Sequence, residues 1–107
     1  MKYRVFIVAD AEEDLFEIYE YMALHISGEK ATALMEKIKF QCEKLSGFPN
    51  RGHTPPELER IGVHEFLEIY HKPYRIIYQV IEKNVYVHCI LDSRRDLEEL
   101  LHRRLLR

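Results

Sequence analysis

Hydrophobic and polar positions follow two rhythms along the chain. "YRVFIV", residues 3–8, is a compact run of β-branched and aromatic residues that stops at the acidic "ADAEED", the pattern of a strand giving way to a helix. Asp10 and Glu13 stand in capping-box relation, and acids crowd the first turn, where the helix dipole favours them. Leu15, Ile18, Tyr19, Met22 and Ile26 then recur on one helical face, leaving Glu12, Glu17 and Glu20 for solvent. "SGE" at 27–29 interrupts this stripe. A second stripe, Ala31, Leu34, Met35, Ile38, Cys42 and Leu45, runs to the stop signals of "SGFP". Two helices with so short a join predict an antiparallel helical hairpin.

Residues 46–62, "SGFPNRGHTPPELERIG", hold three of the four prolines and three of the four glycines and keep no period, so they read as a long functional or mobile loop. Three β-like runs follow, "VHEFLEIYH" (63–71), "YRIIYQVI" (74–81) and "VYVHCILD" (85–92), separated by tight turns as in an antiparallel meander. "RRDLEELLHRRLLR" places Leu97, Leu100, Leu101 and Leu105 on one face of a terminal helix. The expected architecture is one α+β domain spanning 1–107. It has two layers: an N-terminal strand, the helical hairpin, the three-stranded meander and a C-terminal helix, with one sheet face left open.

A chain of 107 residues has room for a single core. At 47% hydrophobic it can offset the entropy of folding. No apolar run approaches the roughly 20 residues that span a bilayer, and the N-terminus lacks a cleavage pattern, which points to the cytoplasm and no membrane. Cys42 and Cys89 have no CxxC spacing and sit in apolar periodic segments, as reduced core thiols do.

The net charge of −2 conceals an asymmetry: residues 1–46 carry six Lys/Arg against nine Asp/Glu, residues 47–107 ten against nine, and residues 93–107 five against three. A broad nucleic-acid-binding field is excluded; a local basic site is not.

Strand alternation directs the candidate chemistry. On the third strand Ile76, Tyr78 and Val80 share one side, with Arg75, Ile77, Gln79 and Ile81 on the other. On the fourth, Val85, Val87, Cys89 and Leu91 are apolar enough to face the hairpin, leaving Tyr86, His88, Ile90 and Asp92 outward. Arg75, His88, Tyr86 and the Arg94–Arg95 pair then gather near one end of the open face, a set able to clamp a phosphate and move a proton. The competing reading pairs Arg75 with Glu68 and leaves His88 a half-buried sheet residue. His25, His53, His64, His71 and His102 lack metal-ligand spacing, and there is no phosphate loop, GxSxG elbow or dinucleotide fingerprint, so neither metal nor cofactor is expected.

At "YRIIY", "DSRRDL", "FPNRGHTPPEL" and the opening "YRVFIVADAEEDLFEIYEYM" the sequence resembles the RelE/ParE family of bacterial toxins, over almost its whole length. The resemblance implies a type II toxin–antitoxin module, associated with plasmid stabilisation, whose toxin halts growth and is neutralised by a cognate antitoxin. RelE-like members cut mRNA on the ribosome; ParE-like members poison DNA gyrase. No tyrosine follows Tyr86, so the terminal aromatic of the RelE-like mRNA interferases is missing, and "FPxRG…PPEL" looks more like the ParE side.

The resemblance therefore implies a gyrase poison without its own catalysis, whose target-binding surface is Arg75, Arg94, Arg95, Arg103 and Arg104. If the chain cleaves RNA instead, Arg75, His88 and Arg95 carry the chemistry. A third reading is an inactive toxin fold retained to bind antitoxin. Homodimer and toxin–antitoxin hetero-oligomer are both compatible with it.

Overall fold

A computed structural model describes residues 2–106, so Arg107, one of the terminal arginines, lies outside the described residues. The elements are β1 (Arg4–Ile7), α1 (Ala9–His25), α2 (Gly28–Glu43), a 3-10 turn (Lys44–Ser46), a one-turn helix α3 (Pro56–Glu59), β2 (Phe66–His71), β3 (Tyr74–Ile81), β4 (Asn84–Asp92) and α4 (Glu98–Leu105). They form the expected α+β order, with a four-stranded sheet ordered β1-β4-β3-β2. β2, β3 and β4 make the antiparallel meander, and β1 joins the outer edge of β4 in parallel.

The helix boundaries differ from the sequence reading for local reasons. The Val8 N–H still bonds the Val87 carbonyl at 3.1 Å, so the chain turns straight from sheet into α1, and no side chain caps that helix. The Asp10–Glu13 capping box is not used. At α2 the Ser27 side chain accepts from the Lys30 N–H at 3.1 Å, an ordinary N-cap. α4 starts four residues later than "RRDL" suggests, because Asp92 first closes a turn, its Oδ1 accepting from Arg94 N–H at 2.9 Å.

The sheet packs on both faces. α1 and α2 cover one, with Leu15, Ile38, Cys42, Leu45, Ile76 and Tyr78 among the buried residues. The other face, expected to be open, is partly roofed by α3 and α4 in a second cluster of Leu58, Phe66, Ile77, Cys89, Leu91, Leu97 and Leu101. An eight-residue helix is not stable alone. Leu97 and Leu101, both essentially fully buried, anchor it at roughly 1.5–3 kcal/mol each.

A β-bulge explains why strand parity misplaced half of β4. Tyr78 pairs with Val87 but Ile77 with Cys89, leaving His88 as the extra residue. Beyond it the alternation inverts: Cys89 and Leu91 join the second cluster and Ile90 joins the hairpin core, the reverse of the sequence expectation. Cys42 and Cys89 thus sit in separate cores, free and buried, with burial pushing each thiol up to about 12. Among the described residues, no helix is long and apolar enough to cross a membrane.

Candidate functional site

The candidate site residues Arg75, His88, Arg94, Arg95, Arg103 and Arg104 are put to different uses. Arg75 is only 6% exposed and is held by two carboxylates. Its Nε donates to Glu68 Oε1 at 2.6 Å, and its two terminal nitrogens donate to Glu57 at 2.7 and 2.8 Å. Glu57 comes from α3, Glu68 from β2 and Arg75 from β3, so the fork ties the long loop to the sheet. The Arg75 hydrogen bonds hold the Glu57 carboxyl below its usual range.

Glu68, fully buried, also accepts from the Tyr70 hydroxyl at 3.2 Å and lies 3.2 Å from His53 Nε2. The sequence named the Arg75–Glu68 pair but missed Glu57, His53 and Tyr70. Arg75 and Glu68 share a face because Tyr70 stands opposite Arg75 and Glu68 opposite Ile77. The loop is drawn in by a two-bond bridge between His53 and Glu68 backbones, at 3.1 and 2.7 Å, and by Gly52 N–H donating to the Tyr78 hydroxyl at 3.0 Å. While these bonds stand, the Arg75 guanidinium is not free to grip a phosphate.

Arg104 is also engaged inside the fold. It donates to both oxygens of Asp14 at 3.1 and 3.0 Å, and to the His88 carbonyl at 2.7 Å. Asp14 in turn accepts from the Ile90 N–H at 3.0 Å. β1 pairs with β4 only as far as Val87, so this ion pair satisfies the edge groups of β4 where β1 has turned away into α1. No local sequence spacing announces a contact between positions 14 and 104.

His88 is half-buried, with Nε2 3.1 Å from the Gln79 amide oxygen, a hydrogen bond in the tautomer whose Nε2 carries the proton. Its ring meets Phe66 edge-on at 5.6 Å between centroids. Burial, helped by the Arg104 charge, lowers its pKa and so favours the neutral imidazole. Arg94 is exposed and folds back on Asp92 at 2.9 and 2.5 Å, and these bonds hold the Asp92 carboxyl down to about 2.

Only Arg95 and Arg103 of the expected set are exposed cations without an ion-pair partner among the described residues. They line a cleft of about 420 Å³ between α1 and α4, which Glu13 and Glu17 line from α1 and in which Leu91 and Leu100 are apolar. Among the described residues no group of three His, Cys, Asp or Glu is placed to hold a metal ion.

A helical hairpin on one face of a β1-β4-β3-β2 sheet, with a short arginine-bearing helix over the other, is the RelE/ParE toxin fold. The family profile described as the ParE toxin of the type II toxin–antitoxin system parDE matches residues 5–97, and the chain belongs to that family. Two solved structures show the same fold. One is the chromosomal ParDE toxin–antitoxin system from P. aeruginosa, with a TM-score of 0.72 and 22% identity over 85% of this chain and 96% of that one. The other is the toxin–antitoxin complex RelBE2 from Mycobacterium tuberculosis, with a TM-score of 0.58 and 18% identity over 86% and 99%. No curated protein matches the chain in sequence.

Proposed function

We propose that this ParE-family chain arrests growth by binding DNA gyrase, without catalysis of its own, and that a cognate antitoxin neutralises it in the cytoplasm. The observation that carries this reading is the dispersal of the residues an RNA endonuclease would need. Arg75 is buried between two carboxylates, so no phosphate clamp stands ready, and His88 is half-buried with Nε2 bonded to Gln79 and away from any free cation among the described residues that could hold a phosphate beside it. Arg95, in the turn before α4, and Arg103, on α4, remain exposed to contact a large partner, while Arg104 fixes that helix to α1.

The antitoxin's landing place is the outer face of the hairpin. Phe16 and Phe40 are 61% and 58% exposed there, a surface suited to the apolar side of a segment that folds as it binds. The ParDE and RelBE2 neighbours, being toxin–antitoxin assemblies, support such a partner.

Pulse labelling of DNA and protein synthesis just after induction of this chain alone tests the reading. Early loss of DNA synthesis with translation intact is expected. Early loss of translation would replace it with RNA cleavage, and no effect on either would leave an antitoxin-binding module. With the expected outcome, Arg95→Ala with Arg103→Ala restores growth in a chain that remains folded.

A further inference from the structure

The cleft between α1 and α4 carries charges of both signs that the chain does not use on itself. Glu13 and Glu17 stand on its α1 side, and Arg95 and Arg103 on the other; all four are exposed. None has a counter-charge within ion-pair distance among the described residues, although Asp14 and Arg104, in the same cleft, are bonded to each other. The spacing of the two walls is therefore set by the Asp14–Arg104 fork and the Leu97–Leu101 anchor, not by the outer charges. Half-buried Leu100 adds apolar surface between the walls, over the buried Leu91.

What fits such a cleft is limited by sign. An anion drawn by the arginines meets Glu13 and Glu17, and a cation drawn by the glutamates meets the arginines. The complementary surface carries both signs in reversed order. A two-fold rotation of this chain supplies one, since it lays the acidic wall of one copy on the basic wall of the other and makes every contact twice.

We propose that this face is the isologous interface of a homodimer, with Glu13 and Glu17 of one protomer facing Arg95 and Arg103 of the other. Leu24, 82% exposed, continues the Glu13–Glu17 stripe at helical spacing and supplies apolar area that charge alone lacks. Because the ion pairs form at an exposed rim, the association is reversible and weakened by salt. The inference is independent of the gyrase reading, but it uses the same two arginines, so self-association and target binding compete.

Sedimentation velocity on the purified chain tests it. A monomer–dimer equilibrium is expected, weakened about tenfold between low salt and about 0.5 M. Glu13→Lys with Glu17→Lys, and separately Arg95→Glu with Arg103→Glu, each give a monomer with unchanged circular dichroism. Mixed in equal amounts, the two variants form a heterodimer, since every reversed contact again meets its opposite. Should either fail to fold, Glu17→Gln and Arg103→Gln each still weaken the dimer. A wild-type monomer at every concentration, variants that dimerise like wild type, a mixture of folded variants that stays monomeric, or growth beyond two copies would each overturn the proposal.

Discussion

Arg104 reaches back 90 positions to Asp14 and donates to both carboxylate oxygens, at 3.1 and 3.0 Å, while also holding the His88 carbonyl. The contact joins α4, α1 and the edge of β4, so an arginine that belongs by sequence to a basic terminal patch acts as a strap. Arg103, its neighbour, is exposed and makes no such contact.

That difference sets the first prediction. Arg104→Ala leaves the Asp14 carboxylate, bonded then only to the Ile90 N–H, and the His88 carbonyl to be resolvated, and should cost about 2 kcal/mol. For a domain of this size that lowers Tm by roughly 10 °C. Arg103→Ala should stay within about 0.5 kcal/mol. Urea denaturation of the two variants measures both, and equal stabilities would show that the strap does not hold the helix.

Arg75→Met strands the fully buried Glu68 and the Glu57 carboxylate, so a loss of about 3–5 kcal/mol is expected. Adding Glu57→Gln and Glu68→Gln removes the stranded charges and should recover most of it. Chemical denaturation of the single and triple variants separates this from a functional role, because a folded Arg75→Met chain of wild-type stability would mean the triad is not structural.

Stability should also fall between neutral and mildly acidic pH because of His88. Its folded pKa is lowered, by burial first and Arg104 second, so below the ordinary value of 6.5 the unfolded chain takes up a proton that the folded chain refuses. The contribution is complete above 6.5 and is lost as pH falls toward the lowered folded value. His88→Gln should flatten the dependence of unfolding free energy on pH in that window. The Glu57 contribution has the same sign lower down: it is complete above about 4.5 and lost as pH falls through the depressed folded value.

Gly52→Ala tests how the long loop is seated. An added Cβ would lie 2.6 Å from the Glu68 carbonyl oxygen and 2.7 Å from the Tyr78 hydroxyl. The backbone cannot yield at the first contact without breaking the His53–Glu68 bridge, so a loss of about 1–3 kcal/mol is expected. Limited proteolysis should find new cleavage between residues 48 and 62 while the hairpin stays protected.

The elements themselves were legible wherever a period ran unbroken. β3 falls on the predicted residues 74–81, and the two helical stripes supply Leu15, Ile38, Cys42 and Leu45 to the core. Parity failed at His88, because a bulge inserts one residue and nothing in "VYVHCILD" distinguishes it from a regular strand. The roof over the second face was missed for a related reason. Leu58 belongs to α3, a single turn inside a loop without period, so no pattern marked it for burial, and the Glu57–Arg75 bond beside it ties that turn to the sheet. Of the candidate arginines, charge and position could not separate Arg95 and Arg103, which face outward, from Arg75 and Arg104, whose carboxylate partners lie on other elements.

The triad of Glu57, Arg75 and Glu68 also constrains the history of the sequence. Each residue sits on a different element, and loss of Arg75 alone leaves the buried Glu68 and its neighbour Glu57 without a counter-charge, whereas loss of either glutamate leaves Arg75 paired with the other. Descendants of this chain should therefore keep Arg75 for as long as they keep either glutamate, and a relative with an apolar residue at position 75 is expected to carry uncharged residues at 57 and 68.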